Sequence, residues 1–175
     1  MEWPTRNTQP GAFGYGLNEM MKPTPEQLDQ YKALTHGVGF VPLTGRTIIE
    51  VTGPDRLQIL QSFTTNDVKR LAPGQGCEAF VTSPQGKTLG HVFIFCAADK
   101  HVLDTTADQA QALIDHFSRY IITEDAFFTD RTAEFTDLLV AGPESAALLS
   151  SLSGEPTPAE RWGHRVASIG GQVTV

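Results

Sequence analysis

Two segments 89 residues apart carry the same three-part pattern, and this repetition narrows the fold more than any bulk property does. IIEVTGPDRLQILQSF and LLVAGPESAALLSSL superpose through Gly53 and Gly142 (142 − 53 = 89), with Val51 on Val140, Pro54 on Pro143, Asp55 on Glu144 and Leu60 on Leu149. Each reads as a β-rich run, a Gly-Pro-acid turn and an apolar stripe at helical period. Strand-Gly-Pro-helix junctions also arise by chance, because proline suits the first turn of any helix. Agreement across both the strand and the apolar face of the helix favours duplication.

The rest of the chain fills in around these copies. Residues 1–25 hold Pro4, Pro10, Pro23 and Pro25 with Gly11, Gly14 and Gly16, and no sustained period, which reads as a surface arm. Thr24 is a candidate N-cap for a helix beginning at Pro25, with Leu28, Tyr31 and Leu34 as its stripe and Gly37 as its end. After the first copy, Thr64-Thr65-Asn66-Asp67 stops the helix, since such side chains bond nearby backbone, and Pro73-Gly74 with Gly76 turns the chain. CEAFVTS, the turn Pro84-Gln85-Gly86-Lys87 and TLGHVFIFCA read as an antiparallel hairpin, and HVLDTT as a further strand. A helix follows with Ala110, Leu113, Ile114 and Phe117 on one face, then strands in AFFTDRTA and TDLLVAG. The second copy leads through SGEPTPAERWG to HRVASIG and QVTV, a hairpin with nothing to cover its edge, so the reading expects an N-terminal portion of something longer.

Composition excludes several functions. With 13 Lys+Arg scattered among 20 Asp+Glu and a net charge of −7, no basic stripe exists to grip nucleic acid or an anionic membrane. Cys77 and Cys96 lack metal-ligand or disulfide-framework spacing and are expected to be strand-buried thiols. No Gly-x-Ser-x-Gly elbow exists, the histidines other than His91 lie far apart or on presumed surfaces, and Asp55 and Asp108 are read as helix starts. No catalytic or metal-binding residue is assigned. The N-terminus lacks a signal-like apolar region, and a soluble, cytoplasmic protein is expected.

RTIIEVTGPDRLQILQSFTTNDV, LAPGQGCEAF and SPQGKTLGHVFIF, in that order and spacing, resemble the N-terminal half of the folate-binding superfamily of the glycine-cleavage T-protein (an aminomethyltransferase) and the YgfZ-type iron-sulfur proteins. The resemblance runs from about Gly37 to Leu152. It implies an α+β fold of two interleaved, duplicated modules of antiparallel sheet with helices packed on one face. Residues 1–45 would begin the first module, 46–134 would form an inserted complete module, and 135–175 would continue the first, which stays incomplete.

The resemblance also implies tetrahydrofolate as ligand. T-proteins resemble one another in a carboxylate where this chain has His91, and in a methionine where it has Arg46. A neutral imidazole supplies no permanent negative charge, so the expectation is folate binding without competent aminomethyl transfer. That is the YgfZ-like case, whose partners would be iron-sulfur client proteins; the alternatives are a folate-dependent one-carbon transferase or a fold retained as a ligand-free interaction domain. Phe93 and Phe95 alternate with Val92 and Ile94, so one pair either lines a pterin pocket or all four are core. Thr106 either offers a hydroxyl to the pterin or caps the following helix.

Overall fold

The computed structural model describes residues 22–170 and 172–174, so the arm of residues 1–25 lies outside it except for 22–25. Helix α1 (Pro25–His36) starts as its sequence predicts: Thr24 accepts from the Gln27 N–H while the Gln27 side chain accepts from Thr24 N–H, a reciprocal capping box. Strands β1 (Gly39–Leu43) and β2 (Arg46–Thr52) follow, then α2 (Arg56–Phe63). The long strands β3 (Gly76–Thr82), β4 (Thr88–Cys96) and β5 (His101–Thr106) lead to α3 (Ala110–Ser118). Last come β6 (Phe127–Asp130), β7 (Asp137–Ala141), α4 (Ser145–Ser153) and the hairpin β8 (Ala167–Ile169) and β9 (Gln172–Thr174).

A five-stranded antiparallel sheet in the order β3-β4-β5-β2-β6 is the centre of the molecule. One face is the core. Ile49, Val51, Val81, Val92, Ile94 and Leu103 point from the sheet into Ile59 and Leu60 of α2 and Leu113 and Phe117 of α3. Each such fully buried side chain contributes about 1.5–3 kcal/mol, and Phe117 also stacks on Phe128, centroids 4.4 Å apart. The alternation of buried and open positions along β4 rules out that all four residues are core. Val92, Ile94 and Cys96 are core, while Phe93 and Phe95 face the other way.

The duplication is visible atom by atom. Gly53 (φ +96°) and Gly142 (φ +121°) both occupy the left-handed region, where the absence of a Cβ matters, and each presses against a carbonyl, that of Asp125 or Gly37. Two residues on, Asp55 N–H donates to Asp125 O and Glu144 N–H donates to Gly37 O, both at 3.1 Å. The order α1-β1-β2-α2 thus recurs as α3-β6-β7-α4. The strands are exchanged between copies: β1 pairs with β7, and β6 pairs with β2. The α+β class and the interleaved antiparallel sheets stand as expected.

Some local expectations change. The stripe Leu28, Tyr31 and Leu34 forms on α1 but stays exposed, and no residue of α1 is buried. Asp55 does not cap α2 with its side chain but accepts from Asp125 N–H at 2.7 Å. Asp108 does not start α3. It stands at φ +60°, and Gln109 holds the cap position without a side-chain bond.

Thr64-Thr65-Asn66-Asp67 does more than end a helix. Thr64 Oγ1 donates to Leu60 O at 2.7 Å, closing α2. The next two residues cover the outer edge of β3: Thr65 N–H donates to Phe80 O, Phe80 N–H donates to Thr65 Oγ1, and Asn66 Nδ2 donates to Glu78 O. An edge strand that would otherwise offer unpaired backbone is thereby occupied.

Candidate functional site

The sheet face opposite the core gathers every residue singled out from the sequence. Cross-strand register sets Phe80 opposite His91 and Arg46 opposite Thr106, and in the adjoining row Glu78 opposite Phe93 and Phe93 opposite Asp104. Arg46, His91, Phe93, Phe95 and Thr106 therefore share one side of the sheet, as a two-residue repeat requires. The loop between α4 and β8 crosses this side. Trp162 packs on Phe93 with centroids 4.8 Å apart and ring planes tilted by 33°, His164 meets Phe95 edge-on at 5.2 Å, and His164 N–H donates to Gly74 O. The two phenylalanine rings thus face loop side chains.

Charged groups alternate with the rings. Arg46 donates from Nε and Nη2 to Asp104 Oδ1 at 2.8 and 2.7 Å, and its guanidinium lies 5.5 Å from the Phe93 centroid. Burial pushes the Asp104 carboxyl up, against the pull of Arg46. His91 Nε2 lies 2.8 Å from Glu78 Oε1, and the His91 ring is flanked by Phe80 at 5.2 Å and Phe93 at 4.9 Å. Glu78 Oε2 is 3.5 Å from Arg161, whose guanidinium covers the Trp162 ring at 4.9 Å. Trp162 holds φ +62°, a costly conformation for so bulky a residue, and such strain concentrates at functional sites.

Two clefts open at the ends of this face. One of about 460 Å³ is bordered by Thr65, Asn66, Glu78, Phe80, Arg161 and Trp162 among others, and one of about 240 Å³ has Arg46, Ile48, Phe135 and Asp137 in its wall. The larger falls in the range of small-molecule sites. Of the predicted residues, Arg46 lines the smaller of these two clefts, and His91, Phe93, Phe95 and Thr106 line neither. His91 and Phe93 lie behind Glu78, Phe80 and Trp162, which they touch.

The face offers flat apolar surfaces, a carboxylate-imidazole pair and guanidinium groups. It offers no activated thiol: Cys77 and Cys96 are buried and free, and desolvation raises the pKa of both. Among the described residues no three His, Cys, Asp or Glu are grouped to hold a metal, and no helix is long and apolar enough to cross a membrane.

Thr106 ends β5 opposite Arg46 and caps nothing, so the capping alternative is set aside. His101 and His116, set aside as metal ligands because the histidines lie far apart or on presumed surfaces, are buried in the body of the protein. Sequence reasoning missed Glu78, Asp104, Arg161 and Trp162. For Glu78 and Asp104 the signal was present, since an acid in an otherwise apolar alternating strand marks the face away from the core. Arg161 and Trp162 sit in an irregular loop, where no period points to a neighbour.

A model of the GCVT N-terminal domain matches residues 11–167. The chain belongs to this family. Among similar curated proteins, an aminomethyltransferase of Chloroherpeton thalassium is 26% identical over 79% of this chain and 39% of its own length. A putative chloroplastic transferase of Arabidopsis thaliana is 28% identical over 79% of this chain and 32% of its own. The crystal structure of the glycine cleavage system aminomethyltransferase T from Bartonella henselae superposes with a TM-score of 0.65 at 20% identity, over 76% of this chain and 36% of that one. At that identity the likeness is one of fold. The GCVT N-terminal domain described here spans about two-fifths or less of the length of these relatives.

Proposed function

We propose that the chain is a tetrahydrofolate-binding protein that, like the YgfZ group, assists iron-sulfur cluster assembly or repair in the cytoplasm rather than running aminomethyl transfer. The observation that carries the binding reading is the gathering of Arg46, His91, Phe93, Phe95 and Thr106 on the one sheet face not used for the core. The residues suit the ligand. Trp162 and Phe80 border the larger cleft with the flat apolar surfaces a pterin ring favours, and Glu78, which also borders it, is held by His91 at 2.8 Å from behind. Phe93 and Phe95 back the aromatic surface, and Arg46 and Thr106 offer donors at the far end of the row. Tetrahydrofolate, when bound, supplies a nitrogen able to carry a one-carbon unit. The residue at position 91 is an imidazole, which offers that nitrogen no negative charge.

Tetrahydrofolate at a hundred times its dissociation constant should stabilise the chain by about 2.7 kcal/mol, a rise in melting temperature of roughly 5–10 °C. An unmoved melting curve at millimolar ligand overturns the binding reading. Unchanged iron-sulfur enzyme activities in a deletion strain overturn the assembly role.

A second reading, folate-dependent aminomethyl transfer, is favoured by one observation: Glu78 brings a carboxylate within 2.8 Å of His91. Turnover with the remaining glycine-cleavage components, abolished by His91→Ala, selects it over the first.

A further inference from the structure

We propose that Glu78 acts through His91 as a positioning residue, fixing the imidazole in the tautomer with hydrogen on Nε2 so that Nδ1 accepts a ligand N–H. This rests on the reading of His91 as a folate contact. The two side chains come from neighbouring strands, Glu78 one row diagonally from His91 in the β3–β4 register, which is within reach of long side chains. At 2.8 Å between Nε2 and Oε1, a carboxylate is only an acceptor, so the proton belongs to Nε2. In a neutral imidazole the other nitrogen then carries a lone pair. Among the described residues Nδ1 of His91 has no hydrogen-bond partner.

The ring is held before any ligand arrives. Thr105 Oγ1 donates to the His91 carbonyl at 2.6 Å, and Phe80 and Phe93 crowd the imidazole from two sides. Arg161 touches Glu78 only at 3.5 Å from an exposed position, so it screens the carboxylate weakly. The Glu78 carboxylate thus brings beside His91 a negative charge that an imidazole cannot supply itself. The preferred partner of the pair is a nitrogen bearing hydrogen or developing positive charge, such as the ring amine of a reduced pterin.

The tautomer can be read directly from the ¹⁵N shifts of the His91 ring in the 175-residue chain. The wild type should show protonated Nε2 and bare Nδ1. Glu78→Gln keeps an acceptor oxygen and should keep this pattern, whereas Glu78→Leu should lose it. Titration with tetrahydrofolate should give a dissociation constant raised about tenfold in Glu78→Leu and a few-fold in Glu78→Gln. A wild-type ring protonated on Nδ1, or a Glu78→Leu chain that binds tetrahydrofolate as tightly as wild type, overturns the proposal. If Glu78→Leu does not fold, the wild-type tautomer decides alone. If the wild type binds no tetrahydrofolate, the folate reading fails, and the ring shifts still test whether Glu78 sets the tautomer.

Discussion

His101 should make this protein acid-labile, by an amount its surroundings set. It opens β5 opposite Val51 and Cys96, is 2% exposed, and has no hydrogen-bond partner at either ring nitrogen. Burial, helped by the Arg56 guanidinium, lowers its pKa from 6.5 to about 4. The folded state thus binds the proton less readily than the unfolded chain. The stabilisation is present in full above pH 6.5 and is lost as pH falls, until below about pH 4 both states are protonated. At ~1.36 kcal/mol per tenfold change in proton affinity the full loss is about 3 kcal/mol, of which about 2.5 kcal/mol is gone by pH 4.5. Urea titrations of wild type and His101→Leu at pH 8, 5.5 and 4.5 isolate the effect. His116 and His164 are also lowered by burial, but their contribution cancels in the difference between the two proteins. The variant should be at least as stable as wild type at pH 8, because two unpaired buried nitrogens are gone, and it should pull ahead by about 2.5 kcal/mol at pH 4.5. Equal pH dependence in the two proteins would refute the reasoning.

Gly53→Ala and Gly142→Ala should each cost at least about 2 kcal/mol, since a Cβ at positive φ would also meet the carbonyl of Asp125 or Gly37. Denaturation midpoints within error of wild type for either would deny that the two turns are equivalent constraints. Thr65→Val removes the acceptor of Phe80 N–H and should lower stability by about 1–2 kcal/mol while increasing concentration-dependent association through β3. An unchanged midpoint and no added light scattering would count against its role as an edge cover.

Much of the fold was legible because it depends on local rules. The capping box at Thr24 and Gln27, the helix stripe of Leu113 and Phe117 and the alternation along β4 are each decided within a few residues. The repeat through Gly53 and Gly142 was legible for the same reason. The candidate site was legible only in part. His91, Phe93 and Arg46 were placed by resemblance, and the register brought them together. Glu78 was hidden because its partner is thirteen residues away across a hairpin, and Trp162 because a loop with no period crosses 69 residues to reach Phe93 (162 − 93 = 69). Asp108 misled because a cap-forming residue before a helix identifies its start only to within a few positions. The burial of His101 was not legible because a histidine at a strand end gives no sign of it.

The exchange of strands between the copies has a consequence for biosynthesis. Gly39 pairs with Ala141, 102 residues later (141 − 39 = 102), and a ribosome adding about 5–20 residues per second takes about 5–20 s to cover that interval. Through all of it the nascent β1, with Phe40 and Val41 along it, has no mate in its own half. Those seconds are the window in which the unpaired strand is most exposed to wrong association.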